Sequence, residues 1–512
     1  MKKIIKKRGG LILALFILAC FYIVLYKIYM PRINAFGCFD DCNNFMGGYF
    51  LLHGKRLFSE IFFNHNPLMA YLSFLVQLVT HPQNLYELIL RHRQALLLFS
   101  FLCNLILLIR FGPPALAFAL FYELTKFYLF GDRFLAEAFI VYPLVYLVGL
   151  VLFKLKNKQI TLLDYLASGV LVWFIVFMRE PYVPAALLVF MYLLWNKKNV
   201  QKSIISLGIF IVLSLTTILL HDLKEFYFNV VTVNLVLVSS GPYLKIFSYP
   251  IQIFFGGEWG YFRYLLVSFN TLFVISSLYL LSKKQWKVVF FTWVILGLAN
   301  VRYVEPGKAF YSAFHLLCWY GIFLFISFTF VSYIHQYSKK VSSILMLGYL
   351  GILLFHIFSP LSFLQSKPDP HLELITNYGS PIQVGIVINS LSTPANTLFL
   401  DGFDDIIYWQ AQRVSSYKYS WYTSLMPNYQ KYTDERITMF RKSPPDFYYG
   451  SCPKEIYPIK LLPAFIKNDY VRLYADNKPT CLWIKKTKLA SISAQQWKKA
   501  KENYYYLPNM VK

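Results

Sequence analysis

The sequence predicts an α-helical multi-pass membrane protein of about eleven transmembrane helices, with outer juxtamembrane helices and a small extracytoplasmic α/β domain at its carboxyl end. Three observations predict it. The chain is 57% hydrophobic and only 15% charged, where soluble globules carry about 25% charged residues. Its mean hydropathy is +0.47, and its apolar residues fall in long uninterrupted runs of the kind that span bilayers. Its positive charge, a net +25, gathers in short Lys clusters between those runs. In a soluble chain such an excess would suggest nucleic acid. Here it sets topology and meets anionic lipid, and no nucleic-acid-binding module is recognisable.

The amino end reads Lys2, Lys3, Lys6, Lys7, Arg8, then an apolar stretch from Leu11 to about Met30. That stretch exceeds the roughly 7–15 residues of a signal-peptide core and no small-residue cleavage site follows it. It is therefore a first span with its amino end in the cytoplasm. The next apolar segment, Pro67 to Thr80, has only fourteen residues and could cross the membrane or lie on it. The downstream loops decide. Lys154–Lys158, Lys197–Lys202, Lys283–Lys287 and Lys339–Lys340 all fall outside if 67–80 crosses, and all fall in the cytoplasm if it does not. Lys-rich loops belong in the cytoplasm, so the segment lies on the outer surface.

Eleven spans follow, at about 11–30, 95–110, 113–130, 135–153, 161–178, 181–195, 203–220, 261–281, 287–301, 309–332 and 341–360. Residues 1–360 form the membrane domain, placed in the plasma (inner) membrane. Within it, a first loop (31–94) and a middle loop (221–260) lie outside and are long enough to carry function. The stretch from Lys224 to Val238 reads as an outer juxtamembrane helix. The tail, 361–512, mixes strand-like runs at 397–400 and 470–474 with helical periodicity near 430–441 and 491–503. Cys20, Cys103 and Cys318 fall in spans. Cys38 with Cys42, and Cys452 with Cys481, either form disulfides or remain free thiols, according to the compartment.

The densest polar cluster is Cys38-Phe39-Asp40-Asp41-Cys42-Asn43-Asn44, followed by a helix-like stretch to His53, then Gly54-Lys55-Arg56. Beyond it runs Asn64-His65-Asn66-Pro67-Leu68. Adjacent carboxylates at a helix head can cap the helix, hold a divalent metal, or act as a general base. Glu123 and Lys126, three apart within a span, form a structural ion pair or a functional one.

The order Phe-Asp-Asp, a helix ending in Leu-His-Gly-Lys, then His-Asn-Pro-Leu, resembles the first outer loop of type-C glycosyltransferases. The relatives in view are protein O-mannosyltransferases and aminoarabinose transferases that use polyprenyl-phosphate sugars. Asp40 and Asp41 match the acidic pair, Gly54 the glycine and His65-Asn66-Pro67-Leu68 the last motif. The chain departs from the pattern in having Asp at 41, Asn at 66 and Phe310-Tyr311 where a His-Tyr is common, with His315 nearby. Gly131–Glu137 resembles the second outer loop, Met178-Arg179-Glu180-Pro181 a Thr-Arg turn, and Asp404-Asp405-Ile-Ile-Tyr408 followed by Arg413 the outer tail.

The resemblance implies transfer of a sugar from a polyprenyl-phosphate donor to a glycan, lipid or protein acceptor on the outer face, by inverting direct displacement. Asp40 would be the general base, with Asp41 beside it. His65, Asp132, Arg133, Glu137, Arg179, Arg302 and Lys308 would bind substrate or the donor phosphate. A divalent cation could sit on Asp40, Asp41 and Asp132. The rival functions are a lipid-linked sugar flippase or transporter and a non-catalytic lipid-binding relative. A transporter would show inverted repeats and midplane carboxylates, and neither is evident.

Overall fold

A computed structural model describes residues 2–38, 40–195, 199–238, 261–300, 313–401, 405–420, 430–450, 468–475 and 478–504. The chain divides into two compact units. The first comprises Met1–Ile33, Arg93–Leu220 and Leu235–Lys367, and the second Asn34–His92, His221–Asn234 and Pro368–Lys512.

The first unit is a helical bundle. Among the described residues seven helices are long and apolar enough to cross a membrane: Gly9–Arg32, Leu85–Phe111, Ala136–Leu155, Val200–Leu219, Tyr261–Ser282, Ala313–His335 and Lys339–Phe358. Shorter apolar helices run at Leu162–Met178, Glu180–Leu194 and Trp286–Ala299, and Pro113–Thr125 adds another. The 136–155 and 317–335 helices form the centre, buried along nearly their whole length. Helices around them point large apolar side chains outward: Ile12, Phe16, Ile204 and Val212 are each more than 60% exposed. Water would penalise such a surface, whereas lipid matches it. The protein is an α-helical, multi-pass membrane protein.

The Lys-rich loops meet at one end of this bundle. Lys154 Nζ donates to the carbonyls of Leu193 and Trp195, at 3.2 and 2.7 Å. Lys156 Nζ donates to Gln285 Oε1 at 2.6 Å and lies 4.7 Å from the Tyr333 ring, close to the Lys339–Lys340 loop.

The Leu85–Phe111 helix starts about ten residues before the expected span. Asn84 caps it, its Oδ1 accepting from Glu87 N at 2.9 Å, and its polar first turns belong to the second unit.

The second unit joins Asn34–His92, His221–Asn234 and Pro368–Lys512, so only the first part of the expected 221–260 loop falls in it. Asp41–Leu52 and Leu68–Thr80 are helices that cross closely at Gly47 and Gly48. A Cβ on Gly48 would stand 2.6 Å from the backbone nitrogen of Phe74, so only glycine fits. From the middle loop come helical Leu223–Tyr227, a π-turn at Phe228–Thr232 and the start of the Val233–Val238 helix, which passes into the first unit at Leu235.

The tail supplies a four-stranded sheet of β1 (Leu398–Leu400), β2 (Phe447–Tyr449), β3 (Tyr470–Ala475) and β4 (Lys478–Lys485), in the order β1-β2-β4-β3. β1 and β2 run parallel and the other pairs antiparallel. Helices Gly379–Leu391, Ile406–Ala411, Gln430–Lys442 and Ala494–Tyr504 complete it. The expected strands and helices of the tail are present. β2 and β4 are additional, the first too short and the second too rich in polar residues to stand out.

Candidate functional site

Asp41 opens the 41–52 helix and is fully buried, with its charge at the favourable end of the helix dipole. Asp40 precedes it at the cap position with helical backbone angles, half-buried, and its side chain makes no cap hydrogen bond. Capping therefore does not account for Asp40. A disulfide between Cys38 and Cys42 closes a short loop around the pair. The helix ends at His53, and Gly54, at φ +74°, takes the left-handed position that releases the chain.

The segment before the Leu68–Thr80 helix is tied to the middle loop. Phe63 N donates to Asn229 Oδ1 at 3.1 Å, and Asn234 Nδ2 donates to the carbonyl of Asn64 at 2.7 Å. Those two bonds leave His65 half-buried, its ring edge-on to Phe63 at 5.8 Å. Asn66 is buried.

A one-directional hydrogen-bond chain links this loop to the tail. Trp409 Nε1 donates to Gln77 Oε1 at 3.1 Å, and Gln77 Nε2 donates to Ser73 Oγ at 3.1 Å and to the Phe45 carbonyl at 2.8 Å. Ser73 Oγ lies 2.8 Å from His92 Nε2, whose Nδ1 is 2.6 Å from the Leu88 carbonyl. A neutral His92 protonated on Nδ1 satisfies every member, and the burial of the chain makes that satisfaction count. A second tie is ionic: Glu225 Oε2 accepts from Lys418 Nζ at 2.5 Å, and Glu225 Oε1 from Lys431 Nζ at 3.1 Å. Burial pushes the Glu225 carboxyl up, but the two lysines outweigh it and hold it below its ordinary value.

The remaining expected residues lie in the first unit. The turn after the 113–125 helix passes through left-handed Phe130 and brings Asp132 beside Arg133, Oδ2 to Nε 3.7 Å. Glu137, in the first turn of the 136–155 helix, lies 3.4 Å (Oε1) from Arg179 Nε at the end of the 162–178 helix. All four are buried. The structure thus brings together two acid–Arg pairs, while Asp40, Asp41 and His65 belong to the other unit.

Among the described residues no three His, Cys, Asp or Glu side chains gather as a metal site. Arg302, Lys308, Phe310, Tyr311, Asp404 and Cys452 lie outside the described residues. Cys481 is disulfide-bonded.

Deeper in the first unit, Glu123 Oε2 and Lys126 Nζ are 2.6 Å apart and both are at most 1% exposed, an intimate ion pair. Sequence reasoning missed the bidentate Arg110–Asp164 pair, with contacts of 2.7 and 2.9 Å. Its one local signal was the Thr161–Asp164 capping box that holds Asp164. No protein-family model, curated protein or solved structure matches the chain.

Proposed function

We propose that the chain is a type-C membrane glycosyltransferase of eleven spans, moving a sugar from a polyprenyl phosphate to an acceptor on the outer face of the plasma membrane. The observation that carries this proposal is the make-up of the second unit. Three stretches far apart in the chain fold together there, and the acidic pair Asp40–Asp41 stands at the head of a helix locked into it. Chemistry on a lipid-borne sugar needs a polar body that holds a base in fixed orientation. Support for the span count comes from parity. Among the described residues two apolar helices of ten or more residues separate each consecutive pair of Lys-rich loops, and the contacts of Lys154 and Lys156 join those loops at one end.

The half-buried Asp40 takes the proton of the acceptor hydroxyl as its oxygen attacks the anomeric carbon. The bond from that carbon to the phosphate oxygen breaks with inversion, and the polyprenyl phosphate leaves with the electron pair. Asp41 keeps the site anionic beside Asp40, and His65 orients the acceptor. Arg133, Arg179, Arg302 and Lys308 supply cations for the leaving phosphate. Arg133 and Arg179 are held ready beside Asp132 and Glu137.

The test is transfer of radiolabelled sugar from a panel of polyprenyl-phosphate sugars in native membranes, with wild type and Asp40→Asn side by side, with and without a chelator. Wild type should label an acceptor, and Asp40→Asn should do so at least about 100-fold more slowly. Equal rates would remove Asp40 from the mechanism. Failure of wild type with every donor would defeat the transferase assignment. Loss of transfer on chelation would add a divalent cation at the carboxylates.

A further inference from the structure

A cavity of about 510 Å³ opens in the second unit, between the end of the 379–391 helix, the turn after the 406–411 helix and the 494–504 helix. Ser392, Gln412, Arg413, Gln495, Gln496 and Lys499 line it, and among the described residues no Asp or Glu does.

Arg413 is the unusual member. Only 4% of it is exposed, yet each of its hydrogen bonds goes to a neutral acceptor. Nε donates to Ser392 Oγ at 2.7 Å, Nη2 to the Ser392 carbonyl at 3.0 Å and Nη1 to the Gln412 carbonyl at 2.6 Å. No carboxylate among the described residues pairs with it. It feels Tyr49, whose hydroxyl is buried without a hydrogen-bond partner among the described residues and whose pKa burial raises, so it stays neutral. A guanidinium has five N–H donors, so two remain on a buried cation that no described residue neutralises. Buried charges are ordinarily paired.

The surroundings fix this cation in place. Gln412 adopts a left-handed conformation, φ +54°, where glycine is usual, and turns the chain so that Arg413 enters the wall. Ser392 Oγ donates to the Ile388 carbonyl, which leaves its lone pair to Arg413.

The rest of the wall also offers donors. Gln496 Oε1 is occupied by Ser493 N at 3.0 Å and Ser493 Oγ at 3.2 Å in a capping arrangement, so its NH₂ is what remains to offer. Lys499 adds a second positive charge on the same helix. A planar fork suits the paired oxygens of a phosphate or carboxylate, and amide and hydroxyl groups around it suit a polyol. The volume falls in the range of small-ligand sites.

We propose that this cavity binds an anionic sugar, one bearing a phosphate or a carboxylate, with Arg413 as the fixed receptor of the oxyanion and Lys499 and Gln496 at its rim. This assignment is independent of the transferase proposal, since binding is read without turnover.

The test uses the full chain in detergent or nanodiscs and equilibrium binding of glucose 1-phosphate, glucuronate, glucose and inorganic phosphate. Saturable binding of one or both anionic sugars, at least about tenfold tighter than glucose and weakened by salt, is expected. The tighter of the two identifies the source as a sugar phosphate or an acidic glycan residue. Arg413→Lys keeps the charge but loses the fork and should abolish the preference. Because Arg413 also braces the turn, Lys499→Gln on the exposed face is the second variant. It should weaken anionic sugars by about fivefold with no change in thermal stability. Absence of saturable binding, glucose binding as tightly as the anionic sugars, or inorganic phosphate alone binding as tightly as glucose 1-phosphate would overturn the proposal. So would unchanged binding in both variants.

Discussion

Replacing Lys126 with Met tests how charge is tolerated in the membrane-embedded bundle. The ammonium stands 2.6 Å from Glu123 Oε2 and 3.3 Å from the Tyr142 hydroxyl. The rings of Tyr29 and Tyr122 lie at 5.9 and 5.8 Å. Glu123 Oε1 accepts from Tyr142 at 2.6 Å and from Asn104 Nδ2 at 3.1 Å. Removing one partner of a buried pair costs about 3–5 kcal/mol. Lys126→Met leaves the carboxylate two neutral donors, which puts the loss near the lower bound, about 3 kcal/mol. Glu123→Gln leaves the ammonium with one hydroxyl and two ring faces, and should cost about 4 kcal/mol. The double variant Glu123→Gln/Lys126→Met removes both charges and keeps an acceptor for Tyr142 and Asn104. It should return to within about 1 kcal/mol of wild type, a coupling of several kcal/mol. Unfolding in mixed micelles with all four proteins measures it. Additive single effects would refute the structural pair. So would single variants as stable as wild type, and loss of transfer in them would then make the pair functional.

Two further outcomes follow from the second unit. Gly48→Ala would push a Cβ to 2.6 Å from Phe74 N and 2.5 Å from Ser73 Oγ. It should destabilise by about 3 kcal/mol in thermal unfolding, whereas Gly208→Ala, with nothing within 4 Å, should be neutral or stabilising by up to about 1 kcal/mol. Burial among Phe58, Tyr71 and Phe226 lowers the His221 pKa from 6.5 to about 4. Between those values the unfolded chain binds the extra proton, so stability is complete above pH 6.5 and is lost as pH falls toward 4. Discounted for the ring's partial exposure, the loss is on the order of 1–2 kcal/mol. His221→Phe should flatten the stability profile across that window, and an unchanged slope would rule His221 out as its source.

Elements with a strong local signal were legible in the sequence. The apolar helices, the run that becomes β1, the run that becomes β3 and both amphipathic tail helices follow from periodicity and hydropathy. The start of the 85–111 helix was not read, because Glu87, Arg91, His92 and Arg93 break the apolar run, although Asn84 is a readable cap. β2 is three residues long and follows two prolines, too brief for a period to register. Of the candidate site, the acidic pair and the Arg residues were visible as residue types. Their pairing as Glu137 with Arg179 was not, nor was the contact of Trp409 with Gln77 across 332 residues, since no local pattern encodes partners so far apart.

The second unit joins Asn34–His92, His221–Asn234 and Pro368–Lys512, three stretches far apart in the chain, while Leu235 onward groups with the first unit. Charge is handled alike in both units. In the first unit Glu123, Asp164, Asp132 and Glu137 each lie beside a lysine or arginine, as burial of charge demands. In the second unit Glu225 and Asp401 are likewise paired, with Lys418 and Arg436. Arg32 and Arg413 are buried and answered by neutral oxygens instead, Arg32 by the carbonyls of Ile28, Leu364 and Ser366. What sets Arg413 apart is its place in the wall of a cavity that no carboxylate lines among the described residues. A buried cation with two N–H donors to spare at the edge of an open space suits a negative charge supplied from outside the chain.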